Sequence, residues 1–497
     1  MRPLAGAVRT ATAGPGLWAA ACAIVAQRLL HSAFPAAPFA PYSIAEWAVR
    51  KSPGSLATYA IDHLGHRALP TFGYAFIALA LAIGLIAGRR PAWMLAAIAF
   101  LLTLPAAFLD PMPRGVTPTL SSASVAALTA LWAAIAFRPR EQDAPPPETD
   151  WTRRRLLARA GLGMILAGAG GAAAIRQGSR NTPSGFVRAD EPAIVPFDGA
   201  FAEVDGLSPR VTPRADHYVV DIDLENPLIG QSGWRLHVNG EVESPISMSL
   251  ADLQSMRTVE RLFNVSCISN PVGGDLIGNS RWTGVPLDHL LDLAAPLASA
   301  VALRVRSFDG YSEGIPLNDI RGHDALIAIG MNGQFLPRSH GFPARLLFPD
   351  HYGMRSVKWV TDLVLLDRDE EGYWAQRGWD REAVVRTESR FDAPRDGDHA
   401  GRRFVCAGIA WAGARGIAAV EVSADGGQSW RQAELEGVLS PLSWRRWRME
   451  LELEPGVHML AVRATDGTGS TQEAKERDPH PSGASGYHRI EVSVGAA

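Results

Sequence analysis

Apolar positions follow two regimes along this chain. Up to about residue 180 they form long runs of Ala, Leu, Gly and Ile, and beyond it they come in short stretches broken by Gly, Pro and Asn. A bilayer core of about 30 Å takes roughly 20 apolar residues at about 1.5 Å rise each. The runs 11–27, 69–87, 91–109 and 117–137 meet or approach that length. A fifth run, 156–175, carries one charge, Arg159, near its start, where the side chain can snorkel to the interface. The pattern predicts an N-terminal all-α transmembrane bundle of about five spans. Basic residues orient it. Arg2, Arg9, Arg89, Arg90, Arg138, Arg140, Arg153, Arg154 and Arg155 fall on one side; Arg50, Lys51, Arg67 and Arg114 fall on the other. Nine against four puts the N-terminus in the cytoplasm and, after five spans, everything beyond about 176 outside it. The stretch TRRRLLARA at 152–160 also resembles a twin-arginine export signal, a route that moves folded proteins.

The second regime reads as two soluble domains. Residues 141–151 (EQDAPPPETDW) and 177–198 are linker-like. WRLHVNGEVE at 234–243 alternates around Asn-Gly, which predicts a hairpin; 249–256 predicts a short helix capped by Ser249, and 285–293 a second one. Strands are predicted at 300–306 and 344–349, giving an α+β domain over 195–370. Over 385–497, alternating stretches at 416–422, 449–453 and 458–463 with turns at Asp425-Gly426-Gly427 and Pro455-Gly456 predict a C-terminal immunoglobulin-like β-sandwich. The antibody-type Cys…Trp…Cys signature is absent from it. The predicted division is therefore 1–140 four-span anchor, 141–180 linker with the fifth span and signal, then the two soluble domains.

Composition narrows the chemistry. The formal net charge is −3, so there is no nucleic-acid footprint, and Lys51, Lys358 and Lys475 are the three lysines. Cys22 falls in an apolar run; Cys267 and Cys406 are too far apart to argue a disulfide framework. His31, His63 and His66 lie between the first two runs, and the interiors of the runs hold no histidine, so a membrane haem is not expected of the anchor. Cys267 sits in NVSCISNPVGGDLIGNSRWTG at 264–284, between an apolar run and a Gly-, Ser- and Asn-rich loop. A buried structural thiol, a nucleophile and a soft metal ligand all fit such a residue. One thiolate cannot build a four-ligand zinc site, but it can complete a metal already held by an organic dithiolene.

Several segments taken together carry a resemblance. These are the Cys267 loop with RWTGVPLDHLL at 281–291, FDGYSEGIPL at 308–317, MNGQFLPRSHGFPARLLFPDHYGMRSVKW at 331–359 and AWAGARGIAAVEVSADGGQSW at 410–430. In this order they resemble the sulfite oxidase family of molybdopterin enzymes, from about 205 to 495. The resemblance implies that Cys267 is the thiolate ligand of molybdenum. It implies that His340, Arg345, Ser356, Val357 and Lys358 hold the pterin and its phosphate, that Asp309 contacts the pterin, and that Tyr218 and Asp221, in DHYVVDID, form one wall of its site. Tyr311 matches the active-site tyrosine; read without the family it is a tyrosine after an Asp-Gly turn. Arg415 matches one of three arginines that bind sulfite. The other two are missing. Val-Val-Asp-Ile stands where the family's sulfite oxidases have Arg-Asn-His, and Ile-Ser-Asn-Pro-Val-Gly-Gly follows Cys267 where animal and plant enzymes have Gly-Asn-Arg-Arg. Arg281, Arg306 and Arg355 are the remaining candidate cations.

The reading is a membrane-anchored Mo-molybdopterin oxidoreductase that transfers an oxygen atom, sulfite-oxidase-like, on a small oxyanion or S-oxide. No haem-binding segment or CxxCH is present, so electrons pass to a separate cytochrome or quinone. The family's C-terminal domain mediates dimers, which implies a homodimer. The missing arginines favour an alternative, an S-oxide or N-oxide reductase of the methionine sulfoxide reductase type. A cofactor-free membrane-anchored binding module is the alternative from another class, and the retained Cys267, His340, Arg345 and Lys358 argue against it.

Overall fold

The computed structural model describes most of residues 15–136, a few positions between 185 and 201, and 204–495 without a break. The linker 141–151, the fifth run 156–175 and the arginine-rich 152–160 lie outside the described residues. The chain divides into two compact units. One holds Met1–Ser52, Arg67–Thr182 and Ile222–Leu228; the other holds Pro53–His66, Pro183–Asp221 and Ile229–Ala497.

In the first unit the four predicted runs are helices, α1 (Pro15–Ala33), α3 (Ala68–Ala87), α4 (Ala92–Phe108) and α5 (Val116–Ala136). Two of them, over Leu69–Ala87 and Pro118–Ile135, are long and apolar enough to cross a membrane, and α4 contributes a shorter apolar stretch interrupted by Pro105. Two details differ from expectation. Helix α1 runs to Ala33, so His31 sits in its last turn rather than in a loop, and it is buried. The segment that follows folds into another helix, α2 (Ala40–Lys51), with Pro41 in its first turn, where proline's missing N–H costs nothing. Its sequence, APYSIAEWAVRK, is too short and too polar to register as a span. Small residues (Ala19, Ala23, Ala126, Ala130, Ala134) fill the seam between helices, which lets the backbones approach closely. The segment Ile222–Leu228 belongs to this unit through its acids. Asp223 pairs with Arg50 at 2.5 Å, Glu225 pairs with Arg28 and His31, and Glu46 accepts from the Leu224 N–H at 2.8 Å.

The second unit contains the α+β domain. One sheet has the order β2 (Ile246–Met248), β1 (Leu236–Gly240), β10 (Val360–Leu366), β5 (Ala302–Ser307), β6 (Ser312–Pro316), with β1 and β10 parallel. The other runs β3 (Val259–Ser266), β4 (Ile277–Pro286), β7 (Leu326–Met331), β8 (Gln334–Phe335), with β9 (Arg345–Leu347) on β7. Helix α6 (Leu250–Ser255) starts on a capping box in which Ser249 and Asp252 bond each other's backbone, and α7 (Leu287–Ala294) buries Leu287, Leu290, Leu291 and Ala294 on one stripe. The predicted hairpin exists, but its turn is displaced. Asn239 and Gly240 stay in β1, paired with Val364 and Leu365, and β2 returns after 241–245. Gly240 has φ +86°, and a Cβ there would stand 2.1 Å from the Leu365 carbonyl. Its glycine is therefore needed for close approach of two strands, not for a two-residue turn.

From 388 onward the strands form two sheets. They are β11 (Glu388–Ala393), β13 (Arg403–Trp411), β17 (Arg445–Glu452) and β16 (Glu434–Leu435); and β12 (His399–Ala400), β19 (His488–Val494), β18 (Gly456–Asp466), β14 (Ile417–Ser423) and β15 (Arg431–Gln432). Both contribute to one core that holds Cys406, Trp447, Val420, Leu460 and Ile490. Cys406 is thus a small apolar filler, its thiol pushed up to about 12 by burial. A further apolar cluster joins the two domains. Ile268 from the cysteine loop and Ile277 at the start of β4 pack with Tyr352, Met354, Trp379, Ile409, Trp411 and Trp444. Burial of these large rings fixes the loop that carries Cys267 against the strands of the second domain.

Candidate functional site

Cys267 directly follows β3. Strands β3 and β4 pair in continuous antiparallel register from Val259↔Gly284 to Ser266↔Ile277, and the Cys267 N–H then donates to the Leu276 carbonyl at 2.9 Å. That bond closes the loop 268–275 and fixes the direction of the thiol. The Asn270 N–H donates to the Cys267 carbonyl at 3.1 Å, and its side-chain oxygen accepts from the Leu276 N–H at 2.9 Å. The Sγ lies 3.0 Å from the Ser269 hydroxyl. Cys267 is half-buried, and its surroundings push the thiol above its ordinary pKa, with the Ser269 contact pulling the other way. A thiol so placed is neutral at pH 7 unless a metal displaces its proton.

A second strand of the chain brings the cations. The turn Arg338–His340 ends on Gly341 at φ +106°, so His340 is buried and Arg345 starts β9 beneath it. Arg345 donates to the carbonyls of His340 at 3.3 Å and Ser356 at 3.1 Å, and lies 5.2 Å over the Trp282 ring. Among the described residues it has no carboxylate partner and its Nε has no hydrogen-bond partner, and burial lowers the guanidinium to about 10. Lys358 is ion-paired with Asp221 and donates to the carbonyls of Val220 at 3.2 Å and Ser339 at 3.1 Å. Burial presses Asp221 up and Lys358 down, each toward its neutral form, and their mutual attraction opposes it. Between these two residues Ser356 accepts from the Phe348 N–H at 3.1 Å, and the carbonyl of buried Val357 accepts from the Leu346 N–H at 2.8 Å.

Tyr218 closes the space between the two. It is close enough to Cys267 and Arg345 for their charges to bear on its own ionisation, and burial raises its phenol well above the ordinary value. A Cβ on Gly353 would stand 2.9 Å from its hydroxyl and 3.2 Å from Val265. The glycine therefore lets the turn 353–355 press against both the end of β3 and Tyr218. The Tyr311 hydroxyl reaches the same turn, donating to the Met354 carbonyl at 2.8 Å, while the Tyr311 N–H is held by the Asp309 carboxylate at 2.9 Å. His217, which no sequence motif marks, belongs here too. It is buried, stacked on Tyr218 at 5.4 Å, and 5.1 Å from the His340 ring. Burial keeps both imidazoles neutral, His217 down to about 4. The signal for it lay in DHYVVDID, next to a residue already singled out. Its structural counterpart is Gly278, where a Cβ would meet the His217 ring at 2.5 Å.

Cys267, Tyr218, Asp221, Asp309, His340, Arg345, Ser356, Val357 and Lys358 thus share one cluster, and Tyr311 joins it through Met354. Arg415 does not. Its guanidinium is spent on Asp466 at 3.0 Å, on the Val385 carbonyl at 2.6 Å and on Asp350 at 3.7 Å. Of the other arginines, Arg306 is exposed on β5, while Arg355 is buried. The donor set fits a molybdopterin. A soft thiol, able to ligate a metal, stands with a buried guanidinium that has no carboxylate partner among the described residues, and among these the Asn270 amide nitrogen is buried without a hydrogen-bond partner. An uncompensated cation and an unbonded donor are costly in a folded core, and a pterin with its phosphate supplies acceptors for both.

Comparison with known proteins identifies two domains in the chain. Residues 223–374 match the family described as "Oxidoreductase molybdopterin binding domain", and 382–494 the "Mo-co oxidoreductase dimerisation domain". The chain is similar to mitochondrial sulfite oxidase of Homo sapiens, 29% identical over 288 residues, which is 48% of this chain and 53% of that protein. It is similar to the NADH nitrate reductase of Ulva prolifera, 25% identical over 53% of this chain and 38% of that one. The chain therefore spans about half the length, or less, of these relatives. The sulfane dehydrogenase SoxCD of Paracoccus pantotrophus shares the fold, with a TM-score of 0.52 at 23% identity over 58% of this chain and 85% of that one.

Proposed function

This chain belongs to the sulfite oxidase family of molybdopterin-dependent oxidoreductases, and from that premise we propose that it transfers an oxygen atom between water and a small oxyanion, with sulfite the first candidate. Oxidation of sulfite with water yields sulfate, two protons and two electrons, and the electrons leave for a separate cytochrome or quinone. Molybdopterin is the cofactor, and when bound it supplies the redox-active metal that accepts the electron pair. The protein's own residues do the rest. Cys267 is the thiolate ligand. Arg345 and Lys358 neutralise the pterin phosphate, while His217, His340, Tyr218, Asp221, Asp309, Ser356 and Val357 shape and dry the cleft. Tyr311 orients the reacting oxygen through its hydroxyl. The observation that carries the reading is the buried Arg345, without carboxylate partner, in one cluster with a thiol held at a strand end. Metal analysis of the purified protein coupled to a substrate screen tests it. Molybdenum present with turnover of sulfite is the expected result; molybdenum absent after expression in a cofactor-competent host overturns it.

A second reading, an S-oxide reductase, draws on the same site. The residues after Cys267 are uncharged, buried Ile268 and Asn270 with half-buried Ser269 between them, and Arg415 is committed to Asp466. A small dianion needs fixed cations where it sheds water, whereas a neutral S-oxide does not. Turnover of methionine sulfoxide with none of sulfite selects this reading.

The α-helical unit we assign to a membrane. Its helices expose apolar side chains such as Ile86 at 83% and Leu128 at 65%, surface that water tolerates poorly. The catalytic unit then faces outward, and the C-terminal domain forms a dimer. Protease treatment of intact cells is expected to remove the epitope of a C-terminal tag, and R153K/R154K is expected to protect it. Protection of the unmodified chain contradicts the outward orientation.

A further inference from the structure

Strand β6 carries an acid on its inner side. Glu313 is 1% exposed, between Tyr311 and the chain at Gly372, where a Cβ would come within 2.2 Å of its Oε2. Oε2 lies 3.3 Å from the Tyr311 hydroxyl oxygen, and Oε1 has no hydrogen-bond partner among the described residues. A phenol has one proton to give. The Met354 carbonyl at 2.8 Å can only accept, and as the nearer partner it claims that proton. Glu313 Oε2 then faces a phenol oxygen that offers only lone pairs. Two acceptors at 3.3 Å are satisfied only when the acid carries a hydrogen.

We propose that Glu313 is a positioning residue that holds a proton behind Tyr311 and donates it to the phenol oxygen, so that its protonation decides whether the Tyr311 hydroxyl points at Met354 or at Glu313. With Glu313 protonated, the phenol hydrogen stays on the Met354 carbonyl. When Glu313 gives its proton to solvent, the carboxylate draws the phenol hydrogen to itself and the Met354 carbonyl loses its donor. The phenol hydrogen only turns about its C–O bond, and the proton from Glu313 is the one that leaves. The groups that bear on Glu313 are Arg355 and Arg381, which favour the carboxylate, together with the Gly314 N–H and Tyr311; Asp309 and Tyr373 act on Tyr311. Arg355 is itself buried, donates to the Arg381 carbonyl at 2.7 Å, and pairs through Nη1 with the Asp319 carboxylate at 3.5 Å. Burial outweighs these influences and raises the acid to about 8, so the switch falls just above neutral pH.

This inference rests on Tyr311 as the tyrosine of the reaction, and its test separates the two. Infrared spectra of the full chain are recorded from pH 6 to 10 for the unmodified protein and for E313Q. The expected result is a buried carboxylic acid band that disappears with a midpoint near 8 and is missing in E313Q. Alongside it, kcat against pH is expected to bend near the same midpoint, and E313Q, whose amide donates at every pH, is expected to lose that bend. A spectrum of the unmodified protein with no band that E313Q removes overturns the proposal. So does a bend in kcat that survives in E313Q. If the band behaves as stated and kcat shows no bend, Glu313 holds its proton but Tyr311 is not the group that sets the rate, which overturns the proposed role and leaves the proton assignment standing.

Discussion

Cys267→Ser leaves a folded protein that turns over more slowly by more than about a hundredfold. Removing a group that only supports a metal ligand costs about 10- to 100-fold, and Cys267 is assigned as the ligand itself. The substitution is mild for the fold. The residue is half-buried, its backbone bond to Leu276 survives, and the contact to Ser269 can be kept by a hydroxyl. The pterin is held by groups on other segments, so the variant retains pterin. Activity and pterin content measured on one preparation check the result. Turnover equal to that of the unmodified protein removes the metal assignment.

Arg345→Gln, the second large effect, shows itself before turnover. Each charge-assisted bond to a phosphate is worth about 1.5–3 kcal/mol, so loss of one lowers cofactor affinity by roughly ten- to a hundredfold, and loss of a forked pair by more. The purified variant is expected to carry little pterin, read as fluorescence released on denaturation. Its thermal stability without cofactor is expected to hold or rise, because a buried guanidinium without a carboxylate is a cost to the apo fold. A variant that retains its pterin shows that Arg345 serves the fold and not the phosphate.

Much of this site was legible in the sequence, because its residues come in dense runs. Arg345, Ser356, Val357 and Lys358 fall within fourteen residues, and β9 and the turn 353–355 bring them together with little chain between. Ser249 announced its helix through a cap, which is a local signal. Features that depend on distant chain were not legible. Asn239-Gly240 reads as a turn until Leu365 is seen beside it, and Glu313 reads as a surface acid until Gly372 covers it. His217 was hidden for the same reason, since its neighbour Gly278 lies 61 residues on. Arg415 was placed by alignment alone, and only the fold reveals that Asp466 and Asp350 occupy it. Helix α2 lies outside every long apolar run, because its twelve residues are too short and too polar for that pattern to mark them.

The central claim is a bond between the Cys267 sulfur and molybdenum. X-ray absorption at the molybdenum edge, recorded on the unmodified protein and on Cys267→Ser, tests it most directly. The account predicts one sulfur fewer around the metal in the variant, with the pterin sulfurs unchanged. Identical sulfur shells in the two proteins would contradict it.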